Sequence, residues 1–300
     1  MNYSICKNKI IVECEEFCPK EILECGQVFS YKKIEDFYFV YPGENLAVIY
    51  KENGKYIIEV LNGDLEFFIN YFDLETDYGK IKEEIKKFSF KEFDKKLILK
   101  TLEFGSGIRI LKQEIFETLI SFIFSANNNI KRFTNSLNTL RRENGKEIVA
   151  RKSDNVEVQK ILETEKFWSF PNIFTMRKLD EKYFKKIGAG YRAEYLADTI
   201  KNIDLKNFSN LECLETDKVL GELLKFKGVG RKVGECVLLF SLGRLDVFPV
   251  DTWIEKVFFE MTKEKTKISR EKISKQLINK FGKFSGYLQQ YLFYYKREIK

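Results

Sequence analysis

Two glycines, a lysine and an aspartate carry the densest chemical information in the chain. The segment DKVLGELLKFKGVGRKVGECVLLFSLG sets apolar residues at helical spacing on both sides of Gly228-Val229-Gly230, and it reads as helix, tight hairpin, helix. Two glycines permit positive φ angles and close approach. The hairpin amides and the start of the second helix can therefore bind a phosphate through backbone alone. An ordinary helix-to-helix turn has the same appearance, so the neighbours must decide. The second helix, roughly residues 231 to 242, is about 18 Å long, and GRLDVFPV can return over that distance when extended. Asp251 then comes back beside Lys232. A partly buried lysine against apolar surface has a lowered amine pKa and becomes a usable nucleophile, as Schiff-base chemistry requires. A nearby carboxylate can stabilise positive charge developing on a sugar ring. Each residue also has a plain reading. Lys232 suits a solvated helix face, and Asp251, just after Pro249-Val250, suits the N-cap of the next helix, a role compatible with facing a cavity.

The 300 residues contain no histidine, which excludes Ser-His and Cys-His nucleophile pairs and His-ligated metals. Any acid or base must be a carboxylate, Lys, Tyr or Cys. Cys6, Cys14, Cys18, Cys25, Cys213 and Cys236 lack paired CxxC spacing, so reduced thiols are expected rather than a disulfide framework or zinc ribbon. A net charge of +7 mildly favours an anionic partner. The N-terminus lacks the pattern of a signal peptide, and no apolar run reaches the ~18 residues of a membrane span. The expectation is a cytoplasmic prokaryotic protein, monomeric and without membrane association.

Positioning these residues requires a scaffold, and its texture changes along the chain. FYFVYP, LAVIYKE and KYIIEV read as strands, the last two joined by Asn53-Gly54, a strong hairpin signal. LEFFINYF and IKEEIKKF show helical spacing. Residues 1–98 are thus expected to form an antiparallel sheet with covering helices. Residues 99–300 are expected to form a helical domain around EIFETLISFIFSA, apolar nearly all round. The fold class is α+β. The charged stretch RRENGKEIVARKSDN is expected to be a solvated excursion between helices.

LLKFKGVGRKVGEC followed by VFPVDTW resembles the hairpin and Gly/Pro-Asp region of the helix-hairpin-helix DNA glycosylases, with lysine where bifunctional members carry it. ECGQVFSY, YFDLETDY, FSANNNIKRF, IGAGYRAEY and SGYLQQYLF resemble, in order, the 8-oxoguanine DNA glycosylase branch, and the likeness spans nearly the whole chain. The resemblance implies two helical lobes with the active-site cleft between them. It also implies an enzyme that flips 8-oxoguanine out of double-stranded DNA, excises it and nicks the strand. Lys232 would attack the anomeric carbon and Asp251 would stabilise the transition state. Asn127 matches the residue that fills the vacated stack, Tyr191 the aromatic wedge, and Arg132 and Arg192 the readers of the orphaned base. Two guanidinium groups suit the acceptor edge of cytosine, so a preference for lesions opposite C is expected.

For the flipped base, the backbone carbonyl of Gly26 matches the acceptor of the N7–H that 8-oxoguanine has and guanine lacks. Phe293 and Cys236 match the faces of the base sandwich, and Gln289 the reader of its pairing edge. Without the resemblance, Phe293 and Cys236 read as core, and Tyr191, after two glycines, as an exposed loop aromatic. Gly228, Val229 and Gly230 would hold the DNA phosphate, and the carbonyls of Leu224, Phe226 and Val229 can hold a structural monovalent or calcium ion. No other cofactor is implied. The last cysteine is Cys236, so the C-terminal iron-sulfur cluster of a related branch cannot form. The chain departs from the pattern at Trp253, where well-known members carry a phosphate-contacting histidine. Two other readings stay open: a glycosylase for alkylated purines, and a non-catalytic hairpin module that clamps DNA.

Overall fold

The computed structural model describes residues 3–204, 208, 211–262, 264 and 266–299. Six strands, β1 (Tyr3–Cys6), β2 (Lys9–Val12), β3 (Tyr31–Ile34), β4 (Phe37–Val40), β5 (Leu46–Glu52) and β6 (Lys55–Asn62), form one antiparallel sheet in the order β1-β2-β6-β5-β4-β3. Asn53 and Gly54 have φ angles of 48° and 82°, so the β5–β6 hairpin closes on two left-handed residues, as the Asn-Gly pair predicts. The β1–β2 and β3–β4 hairpins put Lys7 and Glu35 in that region instead.

Among the described residues, fifteen α-helices follow in chain order. In the first half of the chain they are α1 (Pro19–Leu23), α2 (Leu65–Tyr71), α3 (Tyr78–Lys86), α4 (Lys95–Phe104), α5 (Ile115–Ser125) and α6 (Ile130–Asn144). There follow α7 (Val156–Thr164), α8 (Ile173–Met176), α9 (Glu181–Lys186) and α10 (Arg192–Asn202). The last five are α11 (Thr216–Leu223), α12 (Arg231–Phe240), α13 (Thr252–Thr262), α14 (Arg270–Phe281) and α15 (Ser285–Glu298). The α+β class and the helices at LEFFINYF and IKEEIKKF are as the sequence predicts.

Both faces of the sheet are covered, so β5 buries Leu46 to Tyr50 without alternation. One face packs Val40, Ile49 and Ile58 against Phe68, Tyr71 and Phe72. The other packs Phe39, Val48 and Tyr50 against Ile148, Val158 and Phe167. The charged stretch 141–155 is mostly exposed, as expected, but it is not an excursion away from the fold, because Arg141, Ile148 and Ser153 are buried. Ile148 is buried, the Ile148 amide donates to Phe167, and Ser153 Oγ donates to the buried Glu59 carboxylate at 3.0 Å. Covering the second sheet face removes more apolar surface from water than looping outward would.

Arg141, at the start of that stretch, is 2 % exposed, and its Nη2 pairs with Glu117 Oε1 at 2.6 Å, fastening α6 to α5. Replacing Arg141 with Met leaves an unpaired carboxylate in the core, a situation that costs about 3–5 kcal/mol. Denaturant unfolding is expected to report that loss, and Arg141→Met with Glu117→Gln to recover part of it. An Arg141→Met protein as stable as wild type would show that the pair does not hold the helices.

The helical core is built on α5, nine of whose side chains are buried. It packs on α12, where Phe122 stacks on Phe240 with ring centroids 5.6 Å apart. α15 lies across the returning segment: the Gly286 amide donates to Leu245, and a Cβ on Gly286 would lie 2.5 Å from Leu239.

Candidate active site

A cleft of about 980 Å³ opens between the residues after α5, the hairpin before α12, the start of α13 and the end of α15. Its walls include Gly26, Asn127, Lys232, Asp251 and Phe293. Residues drawn from five separated stretches thus share one cavity.

Lys232 lies in the first turn of α12, half-buried, with Nζ 5.0 Å from the centroid of Phe122. One turn later on the same face of α12 is Cys236, 3 % exposed. Burial pushes the Cys236 thiol up to about 11, with Lys232 opposing and Asp251 adding to the rise. A thiol held there is not a thiolate at neutral pH, so the cysteine is no competing nucleophile. The segment Val247–Val250 is buried and delivers Asp251 to the same wall. Asp251 Oδ1 accepts the amides of Trp253 and Ile254, both at 2.9 Å, and so caps α13. Both cap bonds end on one oxygen, which leaves Oδ2 for the cleft. The cap and the cavity carboxylate are one residue.

The hairpin corrects one expectation. Gly228 is left-handed, with φ +81°, and a Cβ there would sit 2.6 Å from the Tyr195 ring. Gly230 has φ −86°, so it needs no left-handed backbone; it caps α12, and nothing lies within 4 Å of a Cβ built on it. That open side is where a ligand can approach the first amides of α12. Val229 is buried. Phe226 O accepts the Val229 amide at 3.1 Å and keeps a second lone pair, and carbonyl oxygens are donors of the hard kind that suit a monovalent ion or calcium.

Gly26 has φ +86°, and a Cβ there would meet Arg297 Nη1 at 2.9 Å and the Phe293 ring at 3.2 Å. Gln289 and Cys236, expected to face the base, are both buried and are not among the residues that line the cleft in this state. Gln289 Nε2 donates to Pro249 O at 3.4 Å, while its buried Oε1 has no partner.

At the opposite rim, Asn127 is exposed and left-handed, with φ 48°, immediately after the Ala126 cap of α5. Arg132 is exposed on α6 and lines the cleft. Tyr191 is 54 % exposed, as a loop aromatic should be, and its hydroxyl donates to Ala126 O at 3.4 Å. Arg192 is different: it is 6 % exposed, and its guanidinium donates to the carbonyls of Ala126, Asn127 and Ala189. In this state Arg192 holds the Asn127 turn.

Sequence reasoning missed Phe122, Arg270 and Arg297, all on the cleft wall. Only Arg297 left a legible signal, since Gln289, Phe293 and Arg297 repeat every four residues along α15.

Glu235, beside Cys236, is 1 % exposed and accepts from Arg231 Nε at 2.9 Å and Ser274 Oγ at 3.2 Å. Burial pushes its carboxyl up to about 7, although Arg231 pulls the other way. The folded protein then holds a proton that the unfolded chain releases above about pH 4.5, so stability falls as pH rises toward 7, by on the order of 3 kcal/mol. Glu235→Gln is expected to flatten that slope in denaturant unfolding measured across the range. A constant offset from wild type would contradict it.

Residues 9–119 match the family of the 8-oxoguanine DNA glycosylase N-terminal domain. The structure is similar to that of the Clostridium acetobutylicum 8-oxoguanine glycosylase/lyase in complex with double-stranded DNA containing cytosine opposite 8-oxoguanine, with a TM-score of 0.86, 34 % identity and 99 % of each chain covered. The N-glycosylase/DNA lyase of Saccharomyces cerevisiae is 29 % identical, over 95 % of this chain and 85 % of that protein. A probable N-glycosylase/DNA lyase of Methanothermobacter thermautotrophicus is 27 % identical, over 70 % and 72 % of the two chains. With the fold, the cleft and a full-length relative in agreement, this chain belongs to the 8-oxoguanine DNA glycosylase family.

Proposed function

We propose that this protein excises 8-oxoguanine from double-stranded DNA and then nicks the strand, acting in base-excision repair. The observation that carries the reading is the shared cavity: an amine, a carboxylate, a left-handed glycine and an aromatic face border one cleft in a chain of this family. Lys232 attacks C1′ of the flipped nucleotide, the base departs with the electrons of the N-glycosidic bond, and the opened sugar forms an imine with the amine. Loss of a C2′ proton then expels the 3′ phosphate by β-elimination. Asp251, fixed by its cap bonds, stabilises the positive charge that develops on the sugar as the base leaves.

The base would lie between Phe293 and Cys236, with its N7–H on Gly26 O. The unpartnered Gln289 Oε1 supports its role at the pairing edge, where guanine presents N–H donors. Gly228, Val229 and Gly230 would form the phosphate-holding turn, with the bond from the Val229 amide to Phe226 O fixing its shape and the first amides of α12, past the open side of Gly230, facing the phosphate. Leu224, Phe226 and Val229 would hold a cation whose charge favours that phosphate. The protein works as a monomer with no other cofactor, associated with the nucleoid through DNA. Asn127 and Tyr191 fill and wedge the vacated stack. Arg132, already exposed, reads the orphaned base, and Arg192 joins it by releasing a carbonyl of the Asn127 turn.

Excision rates opposite C, A, G and T test the reading. The expectation is fastest excision opposite C, with the preference reduced in Arg132→Ala by roughly tenfold, the worth of a lost base contact. Equal wild-type rates opposite all four bases would overturn the role of the arginines, and no excision at all would overturn the function.

A further inference from the structure

Arg297 stands four residues after Phe293 on the same face of α15, and it lines the cleft. Nε and Nη2 are engaged: both donate to Glu298 Oε1, at 3.0 and 2.8 Å, and Nη2 also donates to the carbonyl of Glu24. Nη1 is buried and has no hydrogen-bond partner. It points at Gly26, 2.9 Å from where a Cβ would stand, and the guanidinium carbon is 5.5 Å from the Phe293 ring centroid. A buried charged donor without an acceptor is uncommon in a folded protein and asks for one. The absence of a side chain at Gly26 is what lets Nη1 and the Phe293 ring come this close to its backbone.

We propose that Arg297 is a second specificity-determining residue of the base pocket, donating from Nη1 to the C8 oxygen of the oxidised purine. The inference rests on the reading of Gly26 and Phe293 given above. In 8-oxoguanine the N7–H donor and the C8 oxygen acceptor are adjacent, and a carbonyl beside a guanidinium N–H is the complementary pair. Guanine offers neither: its N7 is a lone pair facing a carbonyl, and its C8–H faces a donor. Discrimination is thereby shared between two contacts. The Nη2 bond to Glu24 and the bond from Gln290 Nε2 to Cys25 O, 3.1 Å, tie α15 to the strand of chain that carries Gly26, so the two halves of the pair are held in register.

The test compares base excision from an 8-oxoguanine duplex with nicking of a preformed abasic duplex, which presents no base. Wild type, Arg297→Met and Arg297→Lys are measured in single-turnover reactions, with thermal unfolding recorded for each. Arg297→Met is expected to lose roughly ten- to hundredfold in excision, as removal of one charge-assisted bond predicts, and less than about threefold in abasic nicking. Arg297→Lys keeps the buried charge and the packing while removing the planar fork, and its loss is expected to be smaller but confined to the same substrate. Equal losses on both duplexes, or no loss on either, overturn the proposal, the first by assigning Arg297 to structure or phosphate binding. Wild type that nicks abasic DNA but leaves 8-oxoguanine intact overturns the base reading on which the proposal stands, and does so without any variant.

Discussion

Lys232→Gln is expected to lower 8-oxoguanine excision by about four orders of magnitude or more, because no other lysine lines the cleft to supply an amine that can form the imine. Cys236 is one turn away, but burial holds its thiol neutral. The chain has no histidine to activate water in its place. The variant should fold: glutamine is of similar length, and what it gives up is the contact of Nζ with the Phe122 ring, about 0.5–1 kcal/mol at a partly exposed site. Duplex binding should therefore persist while turnover disappears. Retained excision in Lys232→Gln would mean that water, directed by Asp251 alone, is the nucleophile.

Asp251→Asn separates the two roles of that residue. The amide oxygen can still accept from Trp253 and Ile254, so the α13 cap survives and stability should change little. The negative charge is gone, and excision is expected to fall by roughly 10²- to 10³-fold, the range seen when a transition-state charge loses its stabilising partner. Asp251→Ala should show the same kinetic loss together with about 1 kcal/mol of destabilisation from the missing cap. Excision kinetics beside denaturant unfolding make the comparison. An asparagine variant that works at the wild-type rate would reduce Asp251 to a helix cap.

The parts of the molecule that local chemistry specifies are legible in the sequence. Asn53-Gly54 dictated a hairpin, Gly228 a left-handed turn, and Asp251 after Pro249-Val250 a cap, because each depends on neighbours in sequence. The β1–β2 and β3–β4 hairpins were hidden because Lys7 and Glu35 occupy left-handed positions that the sequence does not advertise. The covering of the second sheet face was the larger omission. Its signal was present in LAVIY, five apolar residues in a row where a one-sided strand would alternate, but the partner lies about a hundred residues away among charges. Gly145 belongs to that cover, since a Cβ on it would lie 2.0 Å from the Ser169 carbonyl. At the site, residue types identified the amine and the carboxylate, while the engagement of Arg192 with three carbonyls and the orphaned Nη1 of Arg297 depend on distances that no spacing encodes.

Borohydride reduction during turnover tests the central claim most directly. An 8-oxoguanine duplex incubated with wild-type protein and borohydride should yield a covalent protein–DNA adduct, with the linkage at Lys232 by peptide mapping and no adduct from Lys232→Gln. Excision without any trappable adduct, or an adduct mapped to another lysine, would contradict the chemistry assigned to this cleft.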